Sequence, residues 1–202
     1  MPTATGHVFW IFGLSGAGKS TLADILVENL RRTGITPLAL DGDILRSGLC
    51  RGVGFSEADR TENLRRAAEV ARLGANSGLC VVASFITPLA DHRRQVCDIV
   101  GANRVSLILA DSPLAVCSQR DTKGLYAQAN AGQMTNLTGI SAKFEVPTVA
   151  DLTVRTFGIS AAESGVLLVD FCREKLGLTA EEKCPSYKTS LDTSCNFRTL
   201  IP

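Results

Sequence analysis

Apolar residues recur along this 202-residue chain in short blocks separated by longer amphipathic stretches. Residues 7–12 (HVFWIF) form an apolar run that ends at a glycine. Behind it, Leu22, Ile25, Leu26 and Leu30 recur at helical spacing, which predicts a helix over 19–32 with Gly34 as its stop. Residues 37–40 (PLAL) predict a second short strand, closed by Asp41, Gly42 and Asp43. Residues 56–76 predict a long helix, opened by the Ser56-x-x-Asp59 spacing of an N-cap and ended near Gly78. Residues 79–85 (LCVVASF) and 104–110 (RVSLILA) are unbroken apolar runs, as befits strands covered on both faces, and 89–100 predicts the helix between them. A last strand over 152–156 and a last helix over 160–176 complete the series.

Strands alternating with helices at this spacing predict an α/β fold with three layers: a mainly parallel five-stranded sheet carrying helices on both faces. Two segments break the rhythm. Residues 121–147 hold several glycines and polar residues without sustained periodicity, and read as a lid or substrate loop on one domain spanning 1–183. Residues 184–202 are polar and aperiodic, and a disordered tail is the expectation there.

Composition narrows the class. With 45% hydrophobic and 20% charged residues, the chain is built to fold, and disorder is excluded for most of it. Lys and Arg number 21 against 20 Asp and Glu, a net charge of +1, which removes the electrostatic case for a nucleic-acid or anionic-membrane partner. Aromatics, at 5%, are too sparse for a base-stacking surface. The seven cysteines (50, 80, 97, 117, 172, 184 and 195) are odd in number and show neither a CxxC pair nor Cys/His ligand spacing. They read as reduced, buried thiols of a cytoplasmic protein. No signal-peptide pattern opens the sequence, and no apolar stretch approaches the ~20 residues of a membrane helix.

The strongest chemical signal is Gly13, Leu14, Ser15, Gly16, Ala17, Gly18, Lys19, Ser20, Thr21, which fits G-x-x-x-x-G-K-[ST] between a predicted strand and a predicted helix. Glycines let successive backbone N–H groups turn around phosphate oxygens, and the helix N-terminus adds its positive dipole. Lys19 suits the β/γ-phosphates and Ser20 suits Mg²⁺, so the motif predicts a nucleoside-triphosphate site. A GTPase would carry a base-reading Asn-Lys-x-Asp segment, and a motor ATPase an apolar strand ending in Asp-Glu. Neither is present. A small-molecule kinase is left, and it needs an acceptor pocket.

Asp41 and Asp43 end the second strand, where ligands of α/β folds gather; a carboxylate there can hold a metal's water shell or take a hydroxyl proton. Arg46 follows, then Phe55, then Arg60 and Asn63 on one helical face. Two arginines flanking an aromatic suit an anionic aromatic ligand, such as a nucleotide with a second acidic group. Arg65, Arg66 and Arg72 read instead as a solvated Arg/Glu helix face.

With these residues on view, the chain resembles the adenylylsulfate kinase (APS kinase) family over residues 8–176. The likeness is carried, in order, by GLSGAGKST (13–21), LDGD (40–43), GFSEADRTENLRR (54–66), FITP (85–88), DSPLAVCSQRDTKGLY (111–126), LTGI (137–140) and FEVP (144–147). The third and fifth stretches are the most specific. The resemblance implies a P-loop NTPase fold and transfer of a phosphoryl group from Mg-ATP to the ribose 3′-hydroxyl of adenosine 5′-phosphosulfate (APS), giving PAPS and ADP. It implies an acceptor adenine between Phe55 and Phe144, and a phosphosulfate held by Arg46 and Arg60 with Asn63 alongside. Ile86, Thr87 and Leu137 fall in the same acceptor set. Thr87 stands where the family has a serine described as a phosphoenzyme position, although direct in-line transfer is the simpler mechanism. Lys123 matches a lid lysine near the transferring phosphate, and Asp43 orients the hydroxyl directly or through Mg²⁺. Cys117 and Arg120 border the ATP adenine. A cytoplasmic homodimer acting on a small molecule, with no nucleic-acid or membrane partner, is the implied setting.

Three positions depart from the family's pattern after the DGD: Ile44 replaces an amide, Ser47 an imidazole and Cys50 another amide. They motivate a second reading, a kinase of the same architecture acting on another nucleotide acceptor. A non-catalytic regulatory nucleotide-binding module is a third, opposed by the intact Lys19 and Ser20.

Overall fold

The computed structural model describes residues 6–178. Five strands, β1 (Val8–Phe12), β2 (Leu38–Asp41), β3 (Val81–Phe85), β4 (Val105–Asp111) and β5 (Leu152–Arg155), form one sheet in the order β2-β3-β1-β4-β5. All four pairings are parallel. The central position of β1 explains its composition: every side chain of VFWIF is buried, because both faces of the strand are covered. Alternation sorts them. Val8, Trp10 and Phe12 enter one core with Leu64, Ala67 and Ala71 of α3 (Glu57–Asn76) and Val96 of α4 (Ala90–Val100). Phe9 and Ile11 enter the other with Leu22, Leu26 and Leu30 of α1 (Lys19–Arg32) and Leu168 of α7 (Ala161–Lys175). Each fully buried side chain of this kind contributes about 1.5–3 kcal/mol.

The helices following β1 and β3, two adjacent strands, therefore lie on opposite faces. The chain ends of those strands flank a topological switch point, the crevice where ligands of such sheets collect. The expected N-cap of α3 is a capping box, with Ser56 Oγ accepting from Asp59 N and the Asp59 carboxylate accepting from Ser56 N. On the exposed side of α3, Arg65 and Arg66 pair with Glu62 and Arg72 with Glu69, the solvated face expected there.

Three short helices were not expected: α2 (Gly42–Ser47), α5 (Leu114–Arg120) and α6 (Leu125–Asn130). The last falls within 121–147, so that segment is more than a loop. Asp121 starts α6 by accepting from Tyr126 N (3.0 Å) and Ala127 N (2.9 Å). Tyr126, Leu137 and Thr138 of the same segment are buried. The tail expected at 184–202 lies outside the described residues. Among the described residues no helix is long and apolar enough to cross a membrane.

Candidate active site

A cleft of about 490 Å³ opens at the carboxyl ends of the strands. Its lining comes from separate stretches: Ser15–Leu22 without Ala17, Asp41–Asp43, Arg46, Phe55, Arg60 and Asn63, Ser84–Pro88, Arg120–Lys123 without Asp121, and Thr156 with the start of α7. Among the described lining residues, five cations (Lys19, Arg46, Arg60, Arg120, Lys123) face two carboxylates (Asp41, Asp43). In a protein of net charge +1, that imbalance defines a site for anions.

The phosphate loop joins β1 to α1. Gly13 has to be glycine: a Cβ there would stand 2.6 Å from Ala110 O. Gly16 adopts φ +75°, and a Cβ would meet Cys117 O at 2.9 Å. Four consecutive carbonyls of the loop each accept from a side chain. Lys19 Nζ reaches Leu14 O (2.7 Å), the Tyr126 hydroxyl Ser15 O (2.9 Å), Arg120 Gly16 O (3.1 Å), and Thr156 Oγ1 Ala17 O (2.8 Å). Ala17 N donates within the loop, to Leu14 O (3.2 Å); with the carbonyls engaged, the other N–H groups of the loop are the polar groups left for an anion. Burial, and then the charge of Lys123, push the Lys19 ammonium down to about 8.

Across the cleft stand Arg46, Phe55 and Arg60. Arg46 is held at the turn before α3 by Val53 O (2.8 Å) and Gly54 O (3.0 Å), and its guanidinium lies 4.2 Å from the Phe55 ring centroid. Arg60 bonds Phe55 O (3.1 Å), lies 5.9 Å from the same centroid, and reaches Asn136 O of the lid segment. Burial, with the neighbouring Arg46 charge second, lowers the pKa of Arg60. Asn63 is 5% exposed, and its Oδ1 has no partner within the protein.

The strand ends supply the floor. Thr87 adopts φ +44°, costly for a β-branched residue, and is 1% exposed. Trp10 Nε1 donates to its hydroxyl (2.8 Å), while Arg93, itself buried, donates to Thr87 O and Pro88 O (3.2 Å each). From the lid side, Lys123 pairs with Asp43. Asp41, rather than Asp43, stands against Ser20. Its Oδ2 accepts from Ser20 Oγ (3.2 Å) and Ser84 Oγ (2.9 Å), while its Oδ1 caps α2 at Asp43 N (2.8 Å).

Several expected site residues fall elsewhere. Cys117 has no exposed surface, and its thiol lies 3.7 Å from Ser112 O inside the core. Leu137 is 4% exposed and packs in the same core; Phe144 packs against both cores, so Phe55 lines the cleft without it. Gly13, Leu14 and Ala17 form the underside of the phosphate loop and do not line the cleft. Neither do Ile44, Ser47 and Cys50: Cys50 is 1% exposed within the core, and the Ser47 hydroxyl bonds Ile44 O (2.8 Å). Asp41 could have been found from the LDGD motif. Ser84 and Thr156 carried no signal of their own, being a strand serine and a strand-end threonine, while Tyr126 closes the specific stretch 111–126 and could have been found there.

A parallel sheet in this order, with a GxxxxGKS loop at its central strand and a cationic cleft above it, defines a P-loop phosphotransferase of the small-kinase class. The family model for adenylylsulphate kinase matches residues 5–155, and the chain belongs to that family. The adenylyl-sulfate kinase of Erwinia tasmaniensis is 49% identical over 147 residues, 73% of each chain. The Mycobacterium tuberculosis APS kinase solved with AMPPNP and APS superposes with a TM-score of 0.79 at 40% identity, covering 84% of this chain and 98% of that one. A hexameric APS kinase from Thiobacillus denitrificans, 26% identical, gives 0.65 over 88% of this chain and 31% of its own.

Proposed function

We propose that this chain is an adenylylsulfate kinase that transfers the γ-phosphoryl group of ATP to the ribose 3′-hydroxyl of APS. The observation that carries the reading is the confrontation, across one cleft, of a phosphate loop with the Arg46–Phe55–Arg60 clamp. One side suits the donor triphosphate; the other suits an aromatic base and a second anionic group.

In this reading Lys19 and the loop N–H groups hold the β- and γ-phosphates, with Arg120 and Thr156 bracing the loop from behind. Phe55 stacks on the acceptor adenine, Arg46 and Arg60 hold the phosphosulfate, and Asn63 and the Ile86–Thr87 turn complete its contacts. Asp43 accepts a hydrogen bond from the 3′-hydroxyl and takes its proton. The hydroxyl oxygen bonds to the γ-phosphorus as the bond to the β,γ-bridging oxygen breaks, and ADP leaves with those electrons. Lys19 and Lys123 offset the charge that gathers on the transferred group. Residues 121–147, as the lid of a kinase domain spanning 1–183, exclude water.

Ser20 and Asp41 fit Mg²⁺, since both present hard oxygen atoms and already converge at 3.2 Å. When bound with the nucleotide, the ion neutralises phosphate charge. Among the described residues no three His, Cys, Asp or Glu cluster as a protein-only metal site, which fits an ion held largely by phosphates. Homodimerisation, and residence in the reducing cytoplasm where the free buried thiols of Cys50, Cys80 and Cys172 persist, belong to the same reading. Because Ile44, Ser47 and Cys50 do not line the cleft, nothing in it favours another acceptor.

The test is ADP release from Mg-ATP with APS beside a panel of other nucleotide acceptors, with Lys19→Ala as control. APS-dependent release that vanishes in the control is expected. Release with another acceptor but not with APS would overturn the substrate assignment.

A further inference from the structure

Of the three side chains outside the phosphate loop that hold its carbonyls, Tyr126 alone belongs to the segment 121–147. Its ring is 1% exposed and its hydroxyl donates to Ser15 O, 111 residues away in sequence (2.9 Å). Burial pushes the phenol up to about 12, so it remains a donor at any working pH. Ring burial accounts for an apolar side chain here; it does not account for a hydroxyl aimed at the one loop whose backbone must be held.

What stands beside Tyr126 gives that bond a purpose. Lys123, three residues earlier, sits in a turn closed by Gly124 N donating to Asp121 O (2.9 Å). The Asp121 carboxylate then accepts from Tyr126 N (3.0 Å) and Ala127 N (2.9 Å). Asp121 itself takes φ +29°, a conformation held by those two bonds. The turn carrying Lys123 is thus fixed to the start of α6, and α6 is fixed through Tyr126 to the phosphate loop that carries Lys19. The two ammonium groups are close enough for Lys123 to depress Lys19.

We propose that Tyr126 is a positioning residue for phosphoryl transfer: its hydroxyl sets the spacing between the lid lysine, Lys123, and the phosphate loop, so that Lys123 and Lys19 flank the transferred group together. The inference rests on the kinase reading above. It also divides the lid into two parts. Residues 121–130 are tied to the phosphate loop through Tyr126, and the stretch beyond them touches the clamp through Asn136 and Arg60.

The test is a double-mutant cycle of Tyr126→Phe and Lys123→Ala, read as kcat and the two KM values, with melting temperature recorded for each variant. Tyr126→Phe keeps the ring and removes only the donor. Expected are a kcat lowered about tenfold to a hundredfold, an APS KM within about twofold of the wild type, and no further loss from Tyr126→Phe once Lys123 is Ala. Asp121→Asn, which loosens the turn and leaves the tyrosine intact, should lose kcat in the same non-additive way and serves if Tyr126→Phe fails to fold. A Tyr126→Phe kcat within twofold of the wild type, or losses that multiply fully with Lys123→Ala, would overturn the inference while the kinase reading stands. A wild-type protein that releases no ADP with APS would instead overturn both.

Discussion

The Ser20 hydroxyl and the Asp41 carboxylate meet at 3.2 Å, joining the first turn of α1 to the end of β2 beneath the cleft. Asp43, two residues on, points to Lys123 instead. The two acids of one short motif thus face different partners, and their removal should have different consequences. Asp41→Asn keeps an oxygen to cap α2 but loses the charge. Its Mg²⁺ midpoint for ADP release should rise about tenfold or more, with little change in the APS KM. Asp43→Asn should lower kcat and leave the Mg²⁺ midpoint in place. Equal midpoints in the two variants would reject this division.

Lys19 gives a pH signature. Its pKa of about 8 in the free protein lies below the unfolded value of about 10.4, so the folded chain binds fewer protons between these limits and gains stability as pH rises through that window. Nucleotide phosphates reverse the preference, because they favour the ammonium. Nucleotide binding should therefore take up part of a proton near pH 8.5 and almost none near pH 6.5, with affinity falling as pH rises above about 8. Calorimetry in two buffers of different ionisation enthalpy measures this. Uptake unchanged in Lys19→Met would assign the proton elsewhere.

Thr87 is held as an acceptor by Trp10 in a nearly closed position, which suits a shaped turn better than a nucleophile. Thr87→Ala leaves the indole N–H without that partner and should lower unfolding free energy by about 1–3 kcal/mol, measured by denaturant titration. Its kcat should stay within about tenfold of the wild type. Mass spectrometry after incubation with Mg-ATP alone should find Thr87 unmodified; a phosphorylated Thr87 would restore the covalent route.

Arg60 contacts the Phe55 carbonyl and the lid, on the acceptor side of the cleft. Arg60→Ala should raise the APS KM about tenfold to a hundredfold, the range of a charge-assisted contact, and leave the ATP KM within about twofold. Parallel increases in both would place Arg60 outside the acceptor site.

Ile44 is 52% exposed and does not line the cleft, so Ile44→Asn should leave the APS KM within about twofold. Cys50→Asn is a different matter, since that side chain is 1% exposed: a new buried amide should lower stability by about 1–3 kcal/mol. A strong KM change in Ile44→Asn with stability intact would revive the reading of an altered acceptor.

The long elements were readable because burial imposes a period on the chain. The helix over 19–32 matches α1, and the predicted starts Ser56, Leu89 and Ser160 are the N-caps of α3, α4 and α7. The continuous run at 79–85 contains β3, and that at 104–110 holds all of β4 but its exposed last residue, Asp111, because both strands are covered on both faces. Helices of six or seven residues leave no such period, and α2 begins with glycine, so α2, α5 and α6 went unseen. The same reasoning separates the site residues. Lys19, Arg46 and Arg60 are charged groups in recognisable motifs, whereas Thr156 supports the loop from a strand end 139 residues away from Ala17 and has no local signature. Leu137 and Phe144 show the opposite limit: apolar residues in a ligand-like motif, of which Leu137 is buried in the core and Phe144, half-buried, packs against both cores.

The cleft draws on stretches from Ser15 to Ser164, nearly the whole described chain. A ligand seated there meets residues of both cores, the ends of β2 and β3 and the segments that follow β1 and β5, so its binding energy cannot be localised in any fragment. At a hundredfold excess over its dissociation constant, such a ligand adds about 2.7 kcal/mol to the unfolding free energy. That increment belongs to the molecule as one cooperative unit, and nucleotide occupancy in effect becomes a report on whether residues 15 to 164 have folded together.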